Sequence, residues 1–107
     1  MLGFFVLKQF HMHQVYILFS EKLNRYYIGY TSDLKTRMEF HSNSENRKFT
    51  HNASDWKIFF EIDCENKTQA LAIEKHIKLM KSKIYIDNLI KYPEMLEKLK
   101  IKYSTDC

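Results

Sequence analysis

Cysteine, proline and long apolar runs are all scarce in this chain of 107 residues. Its two cysteines, Cys64 and Cys107, lie far apart and outside any CxxC pair, which argues against a disulfide framework and a zinc site. The apolar opening, residues 1–10, is too short to span a bilayer and lacks a basic segment and a small-residue cleavage site. The sequence therefore indicates neither export nor a membrane anchor, and a cytoplasmic location is expected.

No internal repeat or low-complexity linker divides the chain. Its length is that of one domain, and its hydrophobic content of 45% is enough for one core. We expect residues 1–13 to be an N-terminal extension. Because Met12 closely precedes the first strand-like run, an equally simple hypothesis is that translation starts internally.

The charge balance suits an anionic partner. Seventeen lysines and arginines against 13 aspartates and glutamates give a net charge of +4, and the isoelectric point is near 9.0. Cations that neutralise phosphates release counterions and so favour nucleic-acid binding. Many soluble proteins are mildly basic, however, so composition permits this partner without identifying it.

Two short β-branched and aromatic runs, residues 14–19 and 26–30, are separated by a polar stretch. This pattern predicts an antiparallel hairpin. The next three residues, 31–33, supply helix N-cap chemistry, with Asp33 placed well for the positive end of a helix. A short helix is therefore predicted over residues 34–41.

The second half of the chain predicts a polar loop, a strand and helices. Residues 42–55 are rich in serine, asparagine and charge, and residues 56–62 are typical of a strand. Apolar residues then recur at helical spacing over residues 67–81, namely Ala70, Ile73, Ile77 and Met80. Pro93 ends the following segment or begins a last helix through Lys102. The expected fold class is α/β of the α+β type, with a small, mostly antiparallel three-stranded sheet flanked by helices.

An ordered set of polar residues lies on these elements. Gln14-Val15-Tyr16 and Tyr27-Ile28-Gly29 occupy the two hairpin strands, Arg37 and His41 follow at i and i+4, and Glu74 lies on the amphipathic helix. In this order the residues resemble the GIY-YIG nuclease superfamily over roughly residues 14 to 90. The chain looks like a small stand-alone domain, similar to the N-terminal nuclease domain of the DNA-repair excinuclease and to structure-selective junction endonucleases. The resemblance implies a nuclease domain over residues 14–92, with residues 93–107 as its C-terminal helix and tail.

Two positions depart from the family pattern. Gln14 and Val15 replace the glycine and isoleucine of the first triad, and Tyr30 stands where some members have a lysine directly after YIG. The first change keeps the hydroxyl of Tyr16. The second removes one cation that could face a phosphate.

The resemblance implies catalytic roles for Tyr16, Tyr27, Arg37, His41 and Glu74. Tyr16 would be the general base, although a free tyrosine has a pKa of about 10 and needs a nearby cation to favour its phenolate. Arg37 would clamp a phosphoryl oxygen, and Tyr27 would orient the phosphate or the attacking water. His41 would relay a proton or hold Tyr16.

Glu74 would be the sole protein ligand of Mg²⁺ or Mn²⁺, hard cations that retain waters and complete their shell with substrate phosphate. Its helical position is at the edge of the apolar stripe, which aims the carboxylate towards the sheet. The expected substrate-binding residues are Gly29, Lys81, Lys83 and Asn88.

Each residue also has a structural interpretation when it is taken alone. Tyr16 and Tyr27 could simply pack, as aromatic residues in strands usually do. Glu74 could pair with Lys78 at i+4, and Gly29 could mark a bulge or a close backbone approach. Only the joint occurrence in order favours the functional interpretation.

The expected activity is divalent-metal-dependent endonucleolytic cleavage of DNA, leaving a 5′-phosphate and a 3′-hydroxyl. Because so small a chain has little surface for reading bases, branched, flapped or damaged DNA is the expected substrate, in repair or recombination, with a protein partner needed for any targeting. Two alternatives stay open: a noncatalytic nucleic-acid-binding protein that retains the fold, and an RNA-cleaving relative.

Overall fold

A computed structural model of the protein describes residues 13–34, 36 and 55–104. In this part of the chain a three-stranded antiparallel sheet packs against three helices. The fold is α+β, as the sequence predicts.

The sheet has the spatial order β2-β1-β3, so the first strand is central. β1 spans His13–Ser20, β2 spans Arg25–Thr31 and β3 spans Lys57–Cys64. The predicted hairpin is confirmed, because β1 and β2 pair antiparallel across a turn of residues 21–24. Asn24 closes that turn with a φ of 52°, a left-handed conformation that asparagine tolerates better than most residues.

Alternation along the strands gives the sheet two distinct faces. On the first, which we call the helix face, Val15, Ile17 and Ile62 join a buried cluster with Ile73 and Ile77 of the first described helix. The second we call the tyrosine face, defined by Tyr16, Leu18, Tyr27 and Gly29, which alternate with the helix-face residues. Tyr16 is 2% exposed and Leu18 is fully buried, so this face is also covered.

The described helices have clear capping signals. α1 (Lys67–Met80) begins where the Asn66 side chain accepts a hydrogen bond from the Gln69 amide at 2.9 Å. α2 (Lys83–Lys91) begins where the Ser82 hydroxyl accepts one from the Tyr85 amide at 3.0 Å. α3 (Pro93–Lys102) has its proline in the first turn, where the missing amide costs no hydrogen bond.

A buried glutamine fixes α1 against α3. Gln69 is 1% exposed, and its Oε1 accepts a hydrogen bond from the Glu65 amide at 2.7 Å. Its Nε2 donates to the carbonyl of Lys100 at 3.0 Å. His76 of α1 adds a hydrogen bond to the Tyr103 hydroxyl at 3.0 Å. These contacts set the position of α1, and therefore of Glu74, relative to α3 and the residues that follow it.

Several predicted features fall partly or wholly outside the described residues. Leu34 and Thr36 are helical, and the Asp33 carboxylate accepts the Thr36 amide at 3.2 Å, which confirms the expected helix start. The rest of that helix, the polar loop and residues 1–12 lie outside the described ranges, and the domain boundaries stay predictions. In those ranges no helix has both the length and the apolar character that crossing a bilayer requires.

Asp55, which lies just ahead of β3, holds the β1–β2 turn in place. Its carboxylate accepts hydrogen bonds from the Ser20 hydroxyl at 2.7 Å and from the Lys22 amide at 3.0 Å. Ser20, which is fully buried, in turn accepts the Leu23 amide at 3.1 Å. The hydrogen bond from Ser20, followed by that from Lys22, holds the pKa of Asp55 below its ordinary value of 3.8.

We expect Asp55→Ala to destabilise the fold in a pH-dependent way. A carboxyl whose pKa is lower in the folded state adds stability that is complete above its unfolded pKa. That stability is lost as the pH falls below 3.8 through the folded-state pKa. Urea unfolding from pH 7 to pH 2.5 should show a lower midpoint for the variant at neutral pH and convergence with wild type in acid. Glu97→Ala, at an exposed position of α3, is the control. An equal midpoint for Asp55→Ala and wild type at pH 7 would show that Asp55 does not stabilise the turn.

Candidate active site

Tyr16 and Gly29 are directly opposite each other on β1 and β2. The tyrosine ring lies over the bare Cα of the glycine: a Cβ added at residue 29 would be 2.5 Å from Cζ of Tyr16 and 2.9 Å from Cε1. Such distances are shorter than real Cβ contacts, so the position of the phenol requires glycine here. The group that approaches Gly29 is therefore a side chain, not the bulge or the second backbone that the sequence suggested, and the register irregularity of the sheet lies between Ile17 and Leu18 in the pairing with β3.

Tyr27 extends the same face as a second aromatic layer. Its ring is stacked on Tyr16, with 6.3 Å between centroids and 28° between planes. Trp56, which precedes β3, meets Tyr27 edge-on, with a centroid distance of 6.3 Å and an angle of 69°. Such aromatic contacts fix ring orientation. The two predicted tyrosines therefore share one surface, and Trp56 is a neighbour that the motif alone does not reveal.

Two carboxylates of β3 also lie on the tyrosine face. Glu61 is the register partner of Tyr16, and Asp63 is the register partner of Gln14. The Gln14 amide donates to Asp63 at 2.8 Å and to Glu61 at 3.3 Å. The residue that departs from the family's first glycine thus holds a pair of acids on the strand that pairs with β1 on its other side. Alternating acids in a strand were the available signal, but only the register assigns them to this face.

Glu74 belongs to the helix layer. Its side chain is 16% exposed, at the edge of the stripe formed by buried Ile73 and Ile77, as the helical pattern predicts. Its Oε2 is 2.9 Å from Nζ of Lys78, so the simple i+4 pairing is present. The structure therefore brings Tyr16, Tyr27 and Gly29 into contact and places Glu74 in the adjacent layer. That Glu74 converges with the tyrosines on one substrate stays a prediction.

Of the remaining predicted site residues, some lie in the described part of the chain and others do not. Arg37 and His41 lie outside the described residues. Lys81 ends α1 in a left-handed conformation with a φ of 49°, and Lys83 begins α2, so the two flank one sharp turn. Asn88 is half-buried near the end of α2, where its backbone carbonyl accepts the Tyr92 amide at 2.8 Å.

Two further tyrosines of β2 have structural contacts. Tyr30, at the position where some relatives have lysine, stacks on His13 and hydrogen-bonds to its Nδ1 at 2.9 Å. Tyr26 donates to Asp87 of α2 at 2.7 Å. Burial, followed by the hydrogen bond and the charge of Asp87, raises the pKa of Tyr26 to about 12. Tyr26 is thus unsuited to act as a base near neutral pH.

The hairpin with its paired tyrosines and facing glycine, and the helix that carries Glu74, lie within one segment that matches a family of nuclease-type catalytic domains. Residues 12–86 match the GIY-YIG catalytic domain family. Because that match covers well over half of the chain, the protein belongs to the GIY-YIG family. The membership implies a nucleic-acid substrate, and nucleases of this family generally use divalent metals.

The curated relatives are short proteins of the same family. The UPF0213 protein YsiG of Lactococcus lactis subsp. lactis (strain IL1403) is 29% identical over 85 residues, covering 70% of this chain and 82% of the relative. A UPF0213 protein of Lactococcus lactis subsp. cremoris (strain SK11) is 33% identical over 70 residues, covering 61% and 71% respectively. No solved structure matches the chain.

The close approach of Tyr16 to Gly29 is open to a direct test. We expect Gly29→Ala to destabilise the protein by about 1–3 kcal/mol, the usual cost of forcing an extra carbon into a packed site. Urea unfolding of Gly29→Ala, Tyr16→Ala and the double variant measures the coupling between the two positions. The double variant should be more stable than the sum of the single effects allows, because removing the phenol makes room for the methyl group. Strict additivity would contradict the close approach.

Proposed function

We propose that the protein is a divalent-metal-dependent endonuclease that hydrolyses DNA phosphodiester bonds at the tyrosine face. The observation that supports this most strongly is the packing of Tyr16 against Gly29 with Tyr27 stacked beside it. A phenylalanine ring would need the same space at Gly29, so packing explains the glycine, and the hydroxyl of Tyr16 is the feature that packing leaves unexplained. The family membership adds the nuclease class.

In the proposed reaction Tyr16 takes a proton from a water molecule at its phenolate oxygen. The water oxygen forms a bond to phosphorus, the bond from phosphorus to the 3′ oxygen breaks, and the 3′ oxygen takes a proton from solvent. Arg37 would favour the phenolate and neutralise charge on the phosphoryl oxygens, and Tyr27 would orient the water. His41 would receive the proton from Tyr16. The products are a 5′-phosphate and a 3′-hydroxyl.

The chemistry of Glu74 fits Mg²⁺ or Mn²⁺. It supplies one partly exposed carboxylate, and no group of three or more metal-binding side chains occurs among residues 13–34, 36 and 55–104. Hard cations of this kind suit a single carboxylate, since water and substrate phosphate complete their shell. A cation bound there would stabilise charge on the phosphoryl oxygens. Lys78 contacts Oε2 of Glu74, at 2.9 Å, so a cation would share the carboxylate with this lysine or displace it.

The proposed substrate is DNA with a flap, branch or damaged strand, encountered in repair or recombination. A small domain has little surface for base contacts, so shape and backbone would guide it, and a protein partner would supply any further targeting. Gly29, Lys81, Lys83 and Asn88 are the proposed substrate-binding residues. The second candidate, a noncatalytic nucleic-acid-binding protein, is favoured by the altered first triad at Gln14 and Val15 and by Tyr30, which stands where some members have a lysine.

Cleavage of labelled branched DNA in Mg²⁺ or Mn²⁺ tests the enzyme assignment. We expect Tyr16→Phe to reduce the single-turnover rate by about 10²–10⁴, the usual contribution of a general base. The conservative change keeps the ring, so thermal unfolding should stay near wild type. Tyr85→Phe is the matched control, because it removes a phenol from α2 and should leave cleavage unchanged. A Tyr16→Phe cleavage rate equal to that of wild type would show that Tyr16 is not the general base.

Titration with Mn²⁺, followed by electron paramagnetic resonance, tests the metal ligand independently of turnover. We expect Glu74→Gln to lose the bound signal and DNA cleavage, while Glu97→Gln on α3 retains both. DNA binding without cleavage in wild type, together with Mn²⁺ binding that Glu74→Gln leaves intact, would instead support the noncatalytic protein. Parallel RNA substrates distinguish an RNA-cleaving relative.

A further inference from the structure

A cleft of about 210 Å³ lies where β2, α1 and α2 meet. Four basic side chains line it: Arg25, Lys78, Lys81 and Lys83. They come from three different elements, the start of β2, the end of α1 and the start of α2. The sharp turn at Lys81, with its left-handed backbone, brings the two helix ends together at this cleft.

Three of these cations have no partner of opposite charge in the described structure. Over residues 13–34, 36 and 55–104, no carboxylate lies within ion-pair distance of Arg25, Lys81 or Lys83. Two acids stand near the cleft, but each is engaged: Glu74 pairs with Lys78, and Asp87 accepts the Tyr26 hydroxyl. The cleft therefore concentrates positive charge that the described fold does not neutralise.

The helix dipole accounts for only part of this arrangement. Lysines in the last turn of a helix are stabilised by its negative end, which explains Lys78 and Lys81 on α1. Arg25 belongs to a strand, and Lys83 is at the start of α2, where a helix dipole disfavours a cation. A local helical preference therefore does not explain why all four converge.

We infer that this cleft binds the phosphodiester backbone of the DNA flanking the scissile bond. This inference rests on the proposed function. Basic side chains from separate elements are suited to successive phosphates, whose neutralisation releases counterions and fixes the register of the strand without reading its sequence. Arg25 has a planar fork for bidentate contact with a phosphate, and the lysines supply point charges.

The cleft is well placed to hold such a flank. β2 is an edge strand of the described sheet, carrying Tyr27 on the tyrosine face and Tyr26 on the helix face, where it lines the cleft. A strand that crosses this edge would meet the tyrosines on one side and the basic residues on the other. Lys78 links the cleft to the proposed metal ligand, because it lines the cleft and contacts Glu74.

The test compares two triple variants that each remove three positive charges. One changes the cleft, Arg25→Gln, Lys81→Gln and Lys83→Gln. The control changes three exposed lysines elsewhere, Lys67→Gln, Lys75→Gln and Lys98→Gln. Fluorescence anisotropy with a branched DNA, in Ca²⁺ and at several salt concentrations, gives the affinity and its salt slope. Circular dichroism and thermal unfolding verify that both variants fold.

We expect the cleft variant to bind about tenfold or more weakly and to lose about 2–3 from the magnitude of the slope of log K against log salt, roughly 0.9 per lost phosphate contact. The control variant should lose clearly less affinity and clearly less slope. Equal losses of affinity and of slope in both variants would show that only net charge matters and would overturn the inference that the cleft binds DNA. A loss confined to RNA of the same sequence would assign the cleft to RNA and overturn it for DNA.

The two proposals fail in different ways. If Glu74→Gln abolishes cleavage while the cleft variant retains the wild-type salt slope, the cleft inference is wrong and the endonuclease stands. If wild type never cleaves but the cleft variant still shows the selective loss of slope, the enzyme assignment is wrong and the backbone contact remains.

Discussion

The phenol of Tyr16 fills the space that a side chain at residue 29 would need. This exclusion requires that β1 and β2 pair in one register, because a shift of one residue would place Ile28 or Tyr30 opposite Tyr16. Tyr27 stacks beside Tyr16 only in that register. The glycine of the family motif therefore specifies the position of the phenol as well as the pairing of the hairpin, and the proposed chemistry at Tyr16 depends on both.

The helix layer has its own constraint, which operates through α1. The buried Gln69 joins the start of this helix to α3 through its hydrogen bond to the Lys100 carbonyl, and a second bond ties it to the Glu65 amide just ahead of α1. Ile73 and Ile77 pack the helix on the sheet. That placement determines the position of Glu74, because Ile73 and Ile77 beside it are buried and Glu74 lies at the edge of their stripe. The left-handed residue Lys81 then turns the chain into α2 and lines the basic cleft. The proposed metal ligand and backbone site are thus positioned by one helix.

Much of the fold follows from local sequence pattern, whereas the site depends on long-range contacts. Strand alternation and helical periodicity predict the hairpin, α1 and the segment around Pro93, because each signal lies within a few residues. The approach of Arg25 to the end of α1, the bond from Tyr26 to Asp87 and the pairing of Gln14 with β3 acids join residues far apart in the chain. No local pattern encodes them. Gly29 lies between these cases, since its need for space was predictable but the phenol that occupies the space was not.

The central claim is that the tyrosine face and Glu74 act on one substrate. Fluorotyrosine labelling, with each resonance assigned by a tyrosine-to-phenylalanine change, would locate Mn²⁺ relative to both layers when an uncleavable phosphorothioate DNA is bound. Paramagnetic broadening falls steeply with distance, so strong broadening of Tyr16 and Tyr27, absent in Glu74→Gln, is the expected result. If the metal instead broadens Tyr103, the partner of His76, and leaves Tyr16 and Tyr27 sharp, the two layers do not form one active site.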